Sequence, residues 1–177
     1  SLAIPLALDA VRGRRDKLTI FGADYPTPDG TCVRDYVHVT DLVAAHVLGL
    51  DYLLAGGASE VFNLGTGRGF SVREVVEAVA RVTGEPVPAV MGPRREGDCA
   101  ALVSGSVRAA ERLGWTPAHS TLEDMIATAW AWHQRQALTE LRLSQEQLLR
   151  TAFPHVRAVL DAPQQMRRET EMLRAAA

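Results

Sequence analysis

The sequence has only two cysteines, Cys32 and Cys99, with no CxxC spacing and no histidine pair beside either. That excludes a disulfide framework and a cysteine-ligated zinc site, and both residues read as reduced thiols. Long apolar runs are missing as well. No stretch approaches the about 20 residues that span a bilayer, and Ser1 to Leu8 has no charged region of the kind that opens a signal peptide. The expected location is the cytoplasm. With a formal charge of -2 and no Lys/Arg-dense stripe, the chain also lacks the footprint that a phosphate backbone needs, so nucleic acid is excluded as a partner.

What is present is an ordinary globular balance, 47% hydrophobic and 23% charged residues over 177 positions, enough for one core and too few for two full domains. The sequence begins inside an apolar run, with Pro5 in what reads as a first helical turn, so a truncated start is expected. A helix is predicted over Ile4 to Arg12 and a strand over Leu18 to Phe21. Gly22 to Thr31, with Pro26, Pro28 and Gly30, is turn chemistry and therefore a loop. Alternation predicts a strand over Arg34 to Val39. Thr40 then stands where it can cap a helix to Leu54, with Leu42, Val43, Val47, Leu50 and Leu54 as its apolar face.

Glu60 to Leu64 reads as a further strand by its β-favouring content. Ser71 with Glu74 has capping-box spacing and opens a helix that stops at Gly84. Val87 to Val90 reads as a short strand, and Ser106 to Leu113 as a short helix. Ser120 with Glu123 repeats the box ahead of a helix ending in a Trp-rich stretch. From Leu138 onward Gln, Arg, Glu and Leu dominate, which reads as a helical tail. The expectation is an α/β fold with residues 1–136 as one domain and residues 137–177 as a helical extension.

Three clusters can carry chemistry. Gly65-Thr66-Gly67-Arg68-Gly69 lies between a predicted strand and a helix, where a dinucleotide loop sits, but the third glycine of G-x-G-x-x-G falls on Phe70. It reads as a structural turn with positive φ at one or more glycines. The run from Val33 to Leu42 reads equally as a solvated strand end or as an arginine, Arg34, placed to fork onto phosphate oxygens. Its histidine, His38, and His46 after it read as packed or hydrogen-bonded side chains. Arg94, Arg95, Glu96, Gly97 and Asp98 form either an exposed charge cluster or a second clamp, one guanidinium on a diphosphate and Asp98 on a ribose diol.

Phe21-Gly22, the loop Asp24 to Thr31, Arg34-Asp35-Tyr36-Val37-His38-Val39, Asp41-Leu42, Phe62-Asn63-Leu64-Gly65 and Pro93-Arg94-Arg95-Glu96-Gly97-Asp98 occur in order. Over residues 2–136 this pattern resembles the UDP-glucose 4-epimerases, within the extended short-chain dehydrogenase/reductases. The resemblance implies the C-terminal substrate domain of that fold, with the Rossmann-type part largely missing. It implies that Arg34 and Arg95 hold a diphosphate, that Asp98 holds the ribose, that the segment around Phe21 lines a uracil pocket and that Leu102 faces the hexose. It further implies interconversion of UDP-galactose and UDP-glucose, NAD as cofactor in the complete enzyme, and a homodimer of that enzyme.

The pattern departs from the family at Cys99 and after Gln136. The family's reaction also needs a Tyr-x-x-x-Lys pair, in which lysine and cofactor lower the phenol's pKa. The single lysine here is Lys17, and Tyr25, Tyr36 and Tyr52 are followed four residues later by Asp29, Thr40 and Gly56. The expectation is therefore a binding part that is inactive alone, with no catalytic residue of its own and no tight hold on NAD. The alternatives are another nucleotide-sugar epimerase or dehydratase, or a non-catalytic interaction module using the tail.

Overall fold

The computed structural model describes residues 3–152, and Cα proximity divides the chain into two units, Ser1–Trp130 and Ala131–Ala177. In the first unit, α1 (Ala3–Val11) leads into β1 (Leu18–Phe21), which pairs in parallel with β4 (Ala89–Gly92), Phe21 opposite Gly92. A three-stranded sheet places β2 (Val33–Asp35) in the centre. It runs antiparallel to β3 (Gly69–Ser71) and parallel to β5 (Ala101–Leu102), with Arg34 opposite Leu102.

The helices are α2 (Val39–Leu54), α3 (Val72–Thr83), α4 (Val107–Leu113) and α5 (Leu122–Ala152). The main core gathers Ile4, Ala7 and Leu8 of α1, Leu18 and Ile20 of β1, Val75, Ala78 and Val79 of α3, and Leu122, Met125 and Ile126 from the start of α5. Each fully buried aliphatic chain such as Leu8 or Ile126 contributes about 1.5 to 3 kcal/mol. A smaller cluster centres on Trp115, whose indole Nε1 donates to the Asp41 carbonyl at 2.8 Å.

Several expectations hold as read. β1 has the predicted bounds, and α3 opens on a complete capping box, with Glu74 N–H donating to Ser71 Oγ at 3.0 Å and Ser71 N–H to Glu74 Oε2 at 2.7 Å. Others are corrected. The strand predicted over Arg34 to Val39 stops at Asp35, because His38 is drawn into capping α2. The cap is His38 and not Thr40: its Nδ1 accepts from the Thr40 N–H at 3.0 Å, its Nε2 meets Thr128 Oγ1 at 2.9 Å and its ring is buried. The second cap is displaced by one residue and is no reciprocal box. Thr121 caps α5 with Asp124 at the third position, while Ser120 is committed to Asp41.

Two corrections share a cause. Glu60 to Leu64 forms no strand, because no described strand lies alongside to pair with it, and Val61 is 80% exposed. The apolar face predicted for α2 likewise meets no core. Val43, Val47, Leu50 and Leu54 are all exposed, Leu54 to 78%, and the residues of α2 that are buried are Asp41 and Ala45. Nothing among the described residues covers that stripe.

The helix expected to end in the Trp-rich stretch does not end there: α5 is one helix as far as Ala152, so the expected tail begins inside it, with Leu138, Leu141, Leu143 and Leu148 exposed. The rest of the tail, with Pro154 and Pro163, lies outside the described residues. No helix among the described residues is long and apolar enough to cross a membrane.

Candidate functional site

The two small sheets bring together residues far apart in sequence. β1 ends on Phe21, the central strand β2 carries Arg34, and the turn after β4 carries Arg95 and Asp98. All four line one cavity of about 450 Å³, within the range of small-molecule sites. Arg34 is fixed by its neighbours: Nη1 donates to the carbonyls of Val33 at 2.8 Å and Cys99 at 2.9 Å, and Nη2 reaches Asp98 Oδ1 at 3.4 Å. The Arg95 guanidinium lies over the Phe21 ring, 4.3 Å from its centroid. Two arginines therefore reach one wall beside a single carboxylate, a pattern suited to a dianion that also presents hydroxyl groups.

Leu102 is placed differently. It pairs with Arg34 in the β2/β5 ladder but is 63% exposed and is not among the residues lining the cavity. Several lining residues carry no sequence signal: Arg15 stands in a charged run, Thr19 and Cys32 carry no motif of their own, and Tyr36 belongs to a motif without an assigned role. Burial pushes the Tyr36 phenol up, against the opposing pull of Arg34.

A larger cavity of about 550 Å³ lies between Thr66 and Glu123, but Glu74, Glu77 and Glu123 outnumber Arg68 and Arg81 there. Arg81 is already paired with Glu123 at 3.0 Å. Net negative charge makes that opening a poor place for phosphate, so size does not decide between the two.

The Gly65 to Gly69 run is a structural turn, with Gly67 at φ +71°. The amides of this turn are taken by Asp35. Its carboxylate accepts from the Thr66 N–H at 3.0 Å, the Thr66 hydroxyl at 2.6 Å, the Gly67 N–H at 3.2 Å and the Ser104 N–H at 3.3 Å. With its amides spent on a carboxylate, this turn does not fit NAD. Among the described residues no three His, Cys, Asp or Glu side chains gather as a metal site.

A model of the NAD dependent epimerase/dehydratase family matches residues 2–65. The UDP-glucose 4-epimerase of Halalkalibacterium halodurans is 50% identical over 131 residues, which is 74% of this chain and 39% of that protein. A crystal structure of the UDP-glucose 4-epimerase from Stenotrophomonas maltophila, with bound NAD and formylated UDP-arabinopyranose, aligns with a TM-score of 0.75 at 40% identity, covering 78% of this chain and 41% of that one. The enzyme from Bifidobacterium longum, in complex with NAD+ and UDP, aligns at 0.69 and 38% identity, covering 76% and 39%. The resemblance read from the motifs is thus borne out, and the fold is that of a partial α/β domain of these enzymes. The chain spans about two fifths of the length of the curated relatives it matches.

Proposed function

We propose that the cavity between β1, β2 and the Pro93 to Asp98 turn binds the uridine diphosphate of a UDP-sugar. On this reading the chain supplies the C-terminal, substrate-binding part of a cytoplasmic, homodimeric UDP-glucose 4-epimerase, with residues 1–136 as the binding domain and residues 137–177 as an extension. The observation that carries it is the convergence of Arg34, Arg95, Asp98 and Phe21 on one cavity wall. Arg34 and Arg95 neutralise the diphosphate, Asp98 accepts from the ribose diol, and the end of β1 at Phe21 flanks the uracil.

NAD belongs to the complete enzyme, where it would supply reversible hydride transfer at the hexose. The groups described here hold the nucleotide while leaving the sugar mobile, and none of their roles passes through the cofactor. Because the sequence has no Tyr-x-x-x-Lys pair, the chain alone binds without turning over. Leu102, exposed at the edge of the β2/β5 ladder, is assigned to the hexose side.

Calorimetric titration of the chain with UDP tests this reading. Arg34→Ala should weaken binding by about 1.5 to 3 kcal/mol, roughly 10- to 150-fold, since a charge-assisted contact is lost. Folded protein that takes up no UDP would instead favour an interaction module. UDP-glucose and UDP-N-acetylglucosamine binding with equal affinity would remove any gating role for Leu102.

A further inference from the structure

Two consecutive arginines on the Pro93 to Asp98 turn face opposite ways. Arg95 lies over Phe21 at the cavity, whereas Arg94 reaches the loop on the other side: its Nε donates to Asp24 Oδ1 at 2.7 Å, its Nη2 donates to the Asp24 carbonyl, and its guanidinium stacks 4.4 Å from the centroid of Tyr25. The two loops leave β1 and β4 side by side, where the Gly22 N–H donates to the Gly92 carbonyl at 3.0 Å. Gly22 adopts φ +81°, and a Cβ there would meet the Tyr25 ring at 2.3 Å and Arg94 Cγ at 3.0 Å. The Tyr25 ring and the aliphatic stem of Arg94 are thus packed against bare backbone.

The far end of the same loop is anchored separately. Asp29 accepts from Ser71 Oγ at the start of α3 and from the Thr31 N–H and hydroxyl. What remains for Arg94 is the near end, next to the turn that carries Arg95 and Asp98.

We propose that Arg94 is a positioning residue, a latch that ties Asp24 to the turn and so sets where Arg95 and Asp98 stand to grip a nucleoside diphosphate. This rests on the reading of the cavity as a UDP site. Asp24 is 75% and Arg94 47% exposed, and a single-point ion pair that open contributes little. The fork onto a carboxylate and a carbonyl, together with the aromatic platform, is what a lysine cannot reproduce. The hydrogen bond from Arg94 also holds the Asp24 carboxyl below its ordinary range.

The experiment compares the parent chain with Arg94→Lys and Asp24→Asn, near-isosteric changes at exposed positions, by hydrogen–deuterium exchange and by calorimetric titration with UDP. A latch predicts faster exchange of residues 22–25 and 93–98 in both variants with α3 unchanged, and UDP affinity lowered about two- to fivefold in both. If Arg94 instead touched the phosphates, Asp24→Asn would release it and tighten binding; that result overturns the proposal. So does unchanged exchange, or loosened loops with unaltered affinity. A parent chain that takes up no UDP sinks the reading of the cavity, and the exchange data then decide the latch alone.

Discussion

Changing Asp41 to asparagine probes how α2 is held to the start of α5. The Asp41 side chain is buried, with Oδ1 accepting from the Ala118 N–H at 3.1 Å and Oδ2 accepting from the His119 N–H at 2.9 Å and from the Ser120 hydroxyl. Asparagine has one acceptor oxygen. Turned either way, its NH2 faces a backbone N–H, leaving that donor unsatisfied at about 1 to 3 kcal/mol, and charge assistance is lost at the other contacts. The sum is about 2 to 4 kcal/mol, a fall of roughly 5 to 15 °C in the thermal midpoint.

Burial opposes the Asp41 charge, but the bonds from Ser120, His119 and Ala118 outweigh it and hold the carboxyl below its ordinary range. A depressed folded-state pKa stabilises above the unfolded value, and that stability is lost as pH falls through the window below about 4. The variant, with nothing to titrate there, should converge on the parent as acid is added. Thermal unfolding followed by circular dichroism at pH 7 and at pH 3 to 4 reads both effects. A variant that melts with the parent at pH 7, or keeps its full deficit in acid, would refute the reasoning.

Ser71→Ala removes the cap of α3 and the partner of Asp29 together, and should cost about 1 to 2 kcal/mol in urea unfolding. It should also speed proteolysis of the loop from Asp24 to Thr31. Tyr25→Phe should leave the thermal midpoint unchanged or slightly raised, because among the described residues the buried Tyr25 hydroxyl has only the weakly bonding Cys32 thiol beside it, whereas Tyr25→Leu should lower it by removing the ring beneath Arg94.

Local features of this fold were legible in the sequence. The Ser71/Glu74 box lies within three residues, and β1 is bounded by a charged run and a turn, so neither needs the rest of the molecule. The His38 cap was not legible, because histidine seldom caps and its second nitrogen is satisfied by Thr128 on another helix. Periodicity marked the stripe on α2 and composition marked Glu60 to Leu64, but neither says whether this chain supplies the cover or the neighbouring strand. The grouping of Arg34, Arg95, Asp98 and Phe21 depends on β1/β4 and β2/β5 pairing between distant segments. Spacing could not disclose it, and the family motifs could. Arg15 and Tyr36, brought to the same wall by the turn after α1 and by the end of β2, had no such flag.

The uncovered stripe of α2 governs how this chain can be handled. Val43, Val47, Leu50 and Leu54 present a greasy ridge to water. At the concentrations calorimetry requires, such a ridge favours self-adhesion, whose heat would mix with heat from the nucleotide. Titrations belong at several dilutions, with glutamates set into the ridge as the control that silences the first signal and spares the second.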